Sequence, residues 1–393
     1  MKPLPITAYT LSSALGAGRA AHARALRADT TGLRKLDFDT NTLDCWLGEV
    51  PDFDLPLAGR LSELDCRNNR LAEFALAQDG FLDAVSASVR CHGAGRVGVF
   101  MGTSTAGVHH TELAYRARGQ NVTGALPEWF TQRFTQNIYS ITEFVTRRLS
   151  LRGPAFSIST ACSSSAKVFA AARRAIDAGL CDAAVVGGVD TLCLTTLYGF
   201  NSLQLISPDI CRPADRARNG ISIGEAAGFA LLDPAAGGAS RLLGYGETSD
   251  AYHMSSPDPD GAGAVASMRA ALAMAKLPAA DVDYVNLHGT GSVANDIAEC
   301  RAIVTVFGGD TACSSTKGWT GHTLGAAGIV ESAISLLALE QGFLPRSLNT
   351  VNKDPAIEAG ILLETREAPL RHVLSNSFGF GGSNCSLLFG RST

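Results

Sequence analysis

One cysteine and two histidines stand in three short glycine-bordered runs, far apart in the chain. They are Ser159–Ala166 around Cys162, then His288-Gly289-Thr290-Gly291, then Lys317-Gly318-Trp319-Thr320-Gly321-His322-Thr323-Leu324-Gly325. A thiolate takes up an acyl group by attacking a thioester, and two imidazoles beside it can make and capture a carbanion. Together these residue types read as a site that forms carbon–carbon bonds. Cys162 closes an apolar strand and opens a helix, among the small neighbours Ala161, Ser163, Ser164, Ser165 and Ala166 that let a substrate reach the backbone. The first turn of a helix is electropositive, so the thiolate is the expected form.

His288 follows the apolar run Val282–Leu287 and precedes Gly289, which projects its ring from a strand end into a cleft. His322 lies between Gly321 and Thr323 at the expected start of a long Ala/Leu helix, with Lys317 shortly before it. A helix N-terminus holds an imidazole neutral, with its N–H free to donate. Zinc is the rival for such a trio, but the histidines lack H-x-x-x-H spacing and none of the ten cysteines forms a C-x-x-C. The other nine cysteines read as packing residues. The run Asn376-Ser377-Phe378-Gly379-Phe380-Gly381-Gly382-Ser383-Asn384 is expected as a loop between two strands. Its backbone N–H groups can face a developing oxyanion, and Phe378 and Phe380 can gate an acyl chamber. It does not open a helix as a dinucleotide-binding G-x-G-x-x-G does.

The elements that must position these residues alternate. Short β-type runs (Val97–Met101, Phe156–Ser159, Asp182–Val189, Ala226–Leu232) are interleaved with Ala-rich helical stretches, and the second half repeats the rhythm with Leu242–Gly246, Val282–Leu287, Ala312–Ser315, Ile361–Glu364 and Cys385–Phe389. This is an α/β pattern of sheets covered by helices. Each half delivers a reactive residue at a strand-to-helix junction, which suggests a structural duplication. The division falls at the small-residue stretch Pro234–Gly238, giving a half 1–235 with the cysteine and a half 236–393 with both histidines and the glycine loop. Asn41–Cys66 and Thr103–Gln136 read as insertions that shape a substrate entrance. The 393 residues, 46% of them hydrophobic, can bury a large core, and a net charge of −4 lacks the basic excess of a nucleic-acid binder. No run is long and apolar enough for a membrane span. Met1–Arg19 reads as a buried first strand and turn rather than a signal peptide, and the unpaired cysteines suit a reducing cytoplasm.

On these motifs, with Gly187-Gly188 and Gly224-Glu225-Ala226-Ala227-Gly228, the chain resembles the elongating, Cys-His-His type of β-ketoacyl-acyl-carrier-protein synthase. The resemblance covers essentially the whole chain. It implies the thiolase fold, with two duplicated βαβαβαββ halves in a five-layer αβαβα arrangement. It implies a decarboxylating Claisen condensation of an acyl group on Cys162 with malonyl-acyl carrier protein, with no cofactor beyond the carrier's phosphopantetheine. His288 and His322 would bind the malonyl thioester carbonyl, Lys317 would polarise the site, and the Cys162 and Phe380 N–H groups would form the oxyanion hole. Thr290 and Ser292 would hold the phosphopantetheine arm. Glu331 and Asp296 would support the site, and Asn286, Glu331, Ser375 and Asn376 match positions that hold a monovalent cation in some members. The implied partners are acyl carrier protein and a second subunit, either a homodimer copy or a ketosynthase-like chain-length subunit.

Departures from the family pattern are informative. Thr105 stands in a segment, Gly102–Gly107, that usually reads as glycines with one aliphatic residue at the acyl-tunnel neck, so a more polar neck is expected. Ala125-Leu126-Pro127-Glu128 lacks the basic pair often shown to the carrier, which Arg67, Arg70, Arg116 and Arg118 could replace. These departures tilt the reading from primary fatty-acid elongation towards an aryl-polyene or other type II polyketide line. A thiolase acting on coenzyme A esters would need a second cysteine in a C-x-G motif, whereas Cys385 precedes Ser386-Leu387. A non-catalytic chain-length subunit would have lost the nucleophile.

Overall fold

The computed structural model describes residues 1–118 and 124–392, so residues 119–123 of the second expected insertion lie outside the described part. Five strands of the first half (Leu4–Ser13, Val97–Gly102, Ala155–Ile158, Ala183–Asp190, Ala226–Leu232) lie side by side in the order third, second, fourth, fifth, first. Five of the second half (Ser240–Ser249, Tyr284–Asn286, Ala312–Ser314, His372–Gly379, Ser383–Arg391) take the same order. The directions also repeat: the second strand is parallel to the third and fourth, the fourth is antiparallel to the fifth, and the fifth to the first. The duplication suggested by rhythm is thus a duplication of topology. The two first strands meet edge to edge through Leu4↔Leu242, Pro5↔Arg241 and Ile6↔Ser240, which joins the halves into one continuous sheet path.

Burial explains the layers. Ala183–Asp190 and Ala226–Leu232 are buried along their whole length, which requires cover on both faces. The helices Ser164–Asp177 and Ala327–Gln341 fill the middle, where Phe169, Ile329, Val330 and Leu336 meet Tyr9, Val186, Tyr284 and Phe389. Because successive strand residues face opposite sides, Val185 and Phe229 point outward to Leu71, Phe81 and Phe144. On the other side Val285, Leu374 and Leu388 point outward to Met268 and Ile303. This is the five-layer αβαβα thiolase fold. Against the sequence expectation, one described helical stretch, Leu324–Gln341, is long and apolar enough to cross a membrane; its small and polar residues hid it, and it is 89% buried at the centre of the fold.

Two local expectations change. Asn376–Gly379 continue the strand His372–Gly379, so the glycine-rich loop shrinks to a turn at Phe380–Gly382. The helix expected directly after His322 begins at Ala327, after a short turn Leu324–Ala326.

Candidate active site

Cys162 sits on a sharp elbow between the strand Ala155–Ile158 and the helix Ser164–Asp177. Ala161 before it takes a left-handed φ of +51°, a conformation that is strained for a residue with a Cβ. The elbow is fixed by its own hydroxyls, with Ser164 Oγ donating to the Ala161 carbonyl at 2.6 Å and accepting the Thr160 N–H at 2.9 Å. Gly379 lies flat against it. A Cβ there would come within 2.7 Å of the Thr160 carbonyl oxygen and 3.2 Å of the Cys162 nitrogen. That contact turns the Phe380 N–H towards the Cys162 sulfur, where it favours the thiolate.

The expectation of a resting thiolate is corrected. The thiol is buried, and burial pushes its pKa up to about 11, with Lys317 and the Phe380 N–H opposing only in part. The helix begins at Ser164, so Cys162 lies just before its first turn rather than in it.

One ring nitrogen of each of His288 and His322 lies within 4.8 Å of the other and of the Cys162 sulfur, and the rings cross edge-on with centroids 5.2 Å apart. Both histidines are held neutral, far below the ordinary imidazole range, first by burial and then by the Lys317 ammonium. Their tautomers follow from their partners. The Leu324 N–H donates to His322 Nδ1 at 3.2 Å, and Lys317 Nζ stands 3.3 Å from His288 Nδ1. Each Nδ1 is an acceptor, so each Nε2 carries the proton and donates. The expected helix N-terminus is replaced by the turn at Leu324, while the backbone of His322 is pinned by its N–H to the Ser222 carbonyl at 2.7 Å.

Lys317 is buried and donates to the His288 carbonyl and to Glu331. Burial raises Glu331 to about 7 despite the ammonium. Two further carboxylates stand one helical turn apart on Val293–Phe307 and face back to the histidine loop. Asp296 accepts the Gly291 and Ala214 N–H groups, and Glu299 accepts those of His288 and Gly289 at 2.8 and 2.7 Å. Burial raises Glu299 to about 7. Sequence reasoning found Asp296 and missed Glu299, although two acids spaced three apart on one helix just after the histidine loop were a usable signal.

The site opens into a cavity of about 320 Å³ lined by Cys162, both histidines, Thr290, Ser292, Phe378 and Phe380, and also by Phe200, Asn219 and Asp250. Thr290 Oγ1 and Ser292 Oγ are 2.9 Å apart on its wall. Phe380 packs on Phe200, with ring centroids 5.5 Å apart, and Phe378 on His288 at 6.0 Å. Other expected residues fall elsewhere. Thr105 does not line the cavity: its hydroxyl donates to Asp190 at 2.9 Å and accepts the Thr191 N–H. Among the described residues, neither expected insertion lines it. Arg67 pairs with Glu49 and Glu225, Arg70 with Asp54 and Asp65, and Arg116 with Asp39, so these three are not free for a carrier, and Arg118 lies over the Tyr115 ring. Asn286 Oδ1, Glu331 Oε2 and Ser375 Oγ are buried without a hydrogen-bond partner. Asn376 differs, since its amide bonds Ser386 and Glu299. Cys385 is core, paired across the sheet with Ser377 and Glu247.

Residues 69–236 match the N-terminal domain of beta-ketoacyl synthase and residues 239–351 its C-terminal domain. The chain belongs to the beta-ketoacyl synthase family. It is 31% identical to a 3-oxoacyl-[acyl-carrier-protein] synthase 2 of Vibrio harveyi, over 87% of this chain and 89% of that one. It is 36% identical to nodulation protein E of Rhizobium meliloti over 75% of each. Among solved structures it is similar to a ketosynthase in complex with its chain length factor from Xenorhabdus doucetiae, with TM-score 0.91, 38% identity and coverage of 99% of this chain and 98% of that one. With its relatives, this ketosynthase is an enzyme of the acyltransferase class.

Proposed function

We propose that this ketosynthase joins an acyl group to malonyl-acyl carrier protein in a specialised type II assembly line of the aryl-polyene kind, in the cytoplasm and paired with a chain-length subunit. The observation that carries the chemistry is the pair of neutral imidazoles, each with a ring nitrogen beside the Cys162 sulfur and with Nδ1 facing a donor, in a cavity. Cys162 attacks the incoming thioester and its proton passes to the departing carrier sulfur, while the Cys162 and Phe380 N–H groups hold the oxyanion. The carrier thiol leaves and the acyl group stays on sulfur. The malonyl thioester then enters with its arm along Thr290 and Ser292, and its carbonyl oxygen accepts from His288 and His322. Carbon dioxide leaves, the enolate oxygen remains on the two donors, and the α-carbon attacks the acyl–Cys162 carbonyl. The thiolate departs, giving a 3-ketoacyl thioester two carbons longer. Neutral imidazoles suit this role because they stabilise the enolate without protonating it. No cofactor other than the carrier's phosphopantetheine takes part. The partnerless oxygens of Asn286, Glu331 and Ser375 fit a monovalent cation, whose charge would offset Glu331.

Two features support the partners. The strand Ala155–Ile158 forms one end of the sheet, and Phe156 on it is 51% exposed, as suits pairing with a second subunit. The similar ketosynthase from Xenorhabdus doucetiae was solved with a chain length factor. Val293 on the cavity lining is exposed, and so are Leu203 and Met254, next in the chain to the lining residues Gln204 and Ser255, an apolar rim on which an acyl carrier protein would rest. Intact-mass spectrometry with saturated, polyenoyl and aryl carrier thioesters tests the pathway. Selective loading of polyenoyl or aryl chains on Cys162 supports it; equal or better loading of saturated chains returns the enzyme to fatty-acid elongation.

A further inference from the structure

Three consecutive hydroxyls, Thr103, Ser104 and Thr105, follow the strand Val97–Gly102, and all three serve one carboxylate. Asp190, at the end of Ala183–Asp190, is 0% exposed. It accepts from Thr103 Oγ1 at 2.6 Å, from Thr105 Oγ1 at 2.9 Å and from Ser104 Oγ. It also accepts the N–H groups of Ser104 and Thr105, both at 2.9 Å from Oδ1. The remaining donor comes from the other half of the molecule: the N–H of Gly325, three residues after His322. The preceding N–H, that of Leu324, is the one that donates to His322 Nδ1, and Leu324 is held at a left-handed φ of +53°. Two adjacent N–H groups are thus divided, one to a buried carboxylate and one to the imidazole.

We infer that Asp190 is a positioning residue of the condensation, fixing the tautomer of His322 by anchoring Gly325 so that the Leu324 N–H meets Nδ1. The inference rests on the reading that His322 Nε2–H binds the malonyl thioester. A carboxylate is required because its neighbours here are donors. An asparagine would turn its own N–H₂ towards N–H groups that cannot reverse. With Gly325 released, the Leu324 N–H leaves Nδ1, the proton can move to Nδ1, and the Nε2 donor is lost. The arrangement also accounts for the hydroxyls at positions 103–105, which serve Asp190 rather than a polar tunnel neck.

The test separates two half-reactions. Carbon dioxide release from malonyl-carrier thioester is measured in the C162Q background, where it depends on the histidines; acyl loading is measured by intact mass with Cys162 present. D190N should lower decarboxylation about 10- to 100-fold while loading does not fall, since the Asp190 charge acts only to raise the Cys162 pKa. G325A provides a second variant with the carboxylate intact, because its Cβ would press on Asp190 Oδ2 and the Ser104 nitrogen, each at 2.7 Å; it should shift the same ratio. D190N added to H322A should cost little more, because the tautomer it governs is then gone, whereas D190N added to H288A should still cost its full amount. Nitrogen-15 spectra should show His322 gaining the Nδ1–H form in D190N. Equal loss in both half-reactions, loss in neither, additive H322A, or an unchanged tautomer would each overturn the inference. If C162Q with Asp190 intact releases no carbon dioxide, the reading of the histidines falls first and this inference falls with it.

Discussion

Replacing Gly379 by alanine isolates the part of the site that loads the acyl chain. Its backbone is extended, φ −105° and ψ 153°, so alanine is conformationally acceptable and only space opposes it. The new Cβ would stand 2.7 Å from the Thr160 carbonyl oxygen and 3.2 Å from the nitrogens of Cys162 and Ser163, so the strand must retreat from the elbow by a large part of an ångström. That retreat carries the Phe380 N–H off the Cys162 sulfur. Loss of one oxyanion donor slows acyl transfer about 100- to 1,000-fold, and overpacking costs about 1–3 kcal/mol of stability. Gly381 supplies the control. Its φ is +79° with open space around the missing Cβ, so Gly381→Ala carries a left-handed penalty of about 1–2 kcal/mol without moving the elbow. Acyl loading followed by intact mass, with thermal unfolding to verify folding, should show Gly379→Ala slowed about 100-fold and Gly381→Ala within about threefold. Wild-type loading by Gly379→Ala, or equal loss in both, would refute the reasoning.

Other outcomes follow from the same geometry. With the Cys162 pKa raised to about 11, the thiolate is scarce at neutral pH, so loading should rise about tenfold per pH unit from 7 to 9; a plateau below pH 8 would mean that the thiol titrates lower. Phe380→Ala removes the ring packed on Phe200 at the cavity wall, and competition between acyl and malonyl thioesters should lose its order; unchanged ordering in a double-substrate assay counts against a gate. Because Arg67, Arg70 and Arg116 are paired within the chain, the KM for carrier protein should change less than about threefold between 50 and 500 mM salt, whereas Met254→Asp on the apolar rim should raise it about tenfold; steep salt dependence would place the carrier on a charged face.

What the sequence revealed depended on how local the signal was. Cys162, His288 and His322 were legible because glycines and small residues at strand ends display side chains rather than pack them, and the alternating rhythm of both halves exposed the duplication. The joining of the two sheets through Leu4 and Leu242 was not legible, since three pairings between distant edges leave no periodic trace. Thr105 was misplaced because its partner lies 85 positions away, and a hydroxyl in a loop looks the same whether it faces a tunnel or a carboxylate. The arginines failed for the same reason: Arg67 looks free until Glu225 arrives from 158 positions away. The Cys162 thiolate was misjudged because a helix start is visible in sequence and burial is not.

Decarboxylation by the C162Q variant tests the central claim most directly. An amide in place of the thiol mimics the acylated enzyme and leaves both histidine donors in place. The variant should release carbon dioxide from malonyl-acyl carrier protein without an acyl donor, and adding H288A or H322A should slow that release about 100- to 1,000-fold. Normal binding of malonyl-acyl carrier protein with no carbon dioxide from C162Q, or release undiminished without either histidine, would contradict the account.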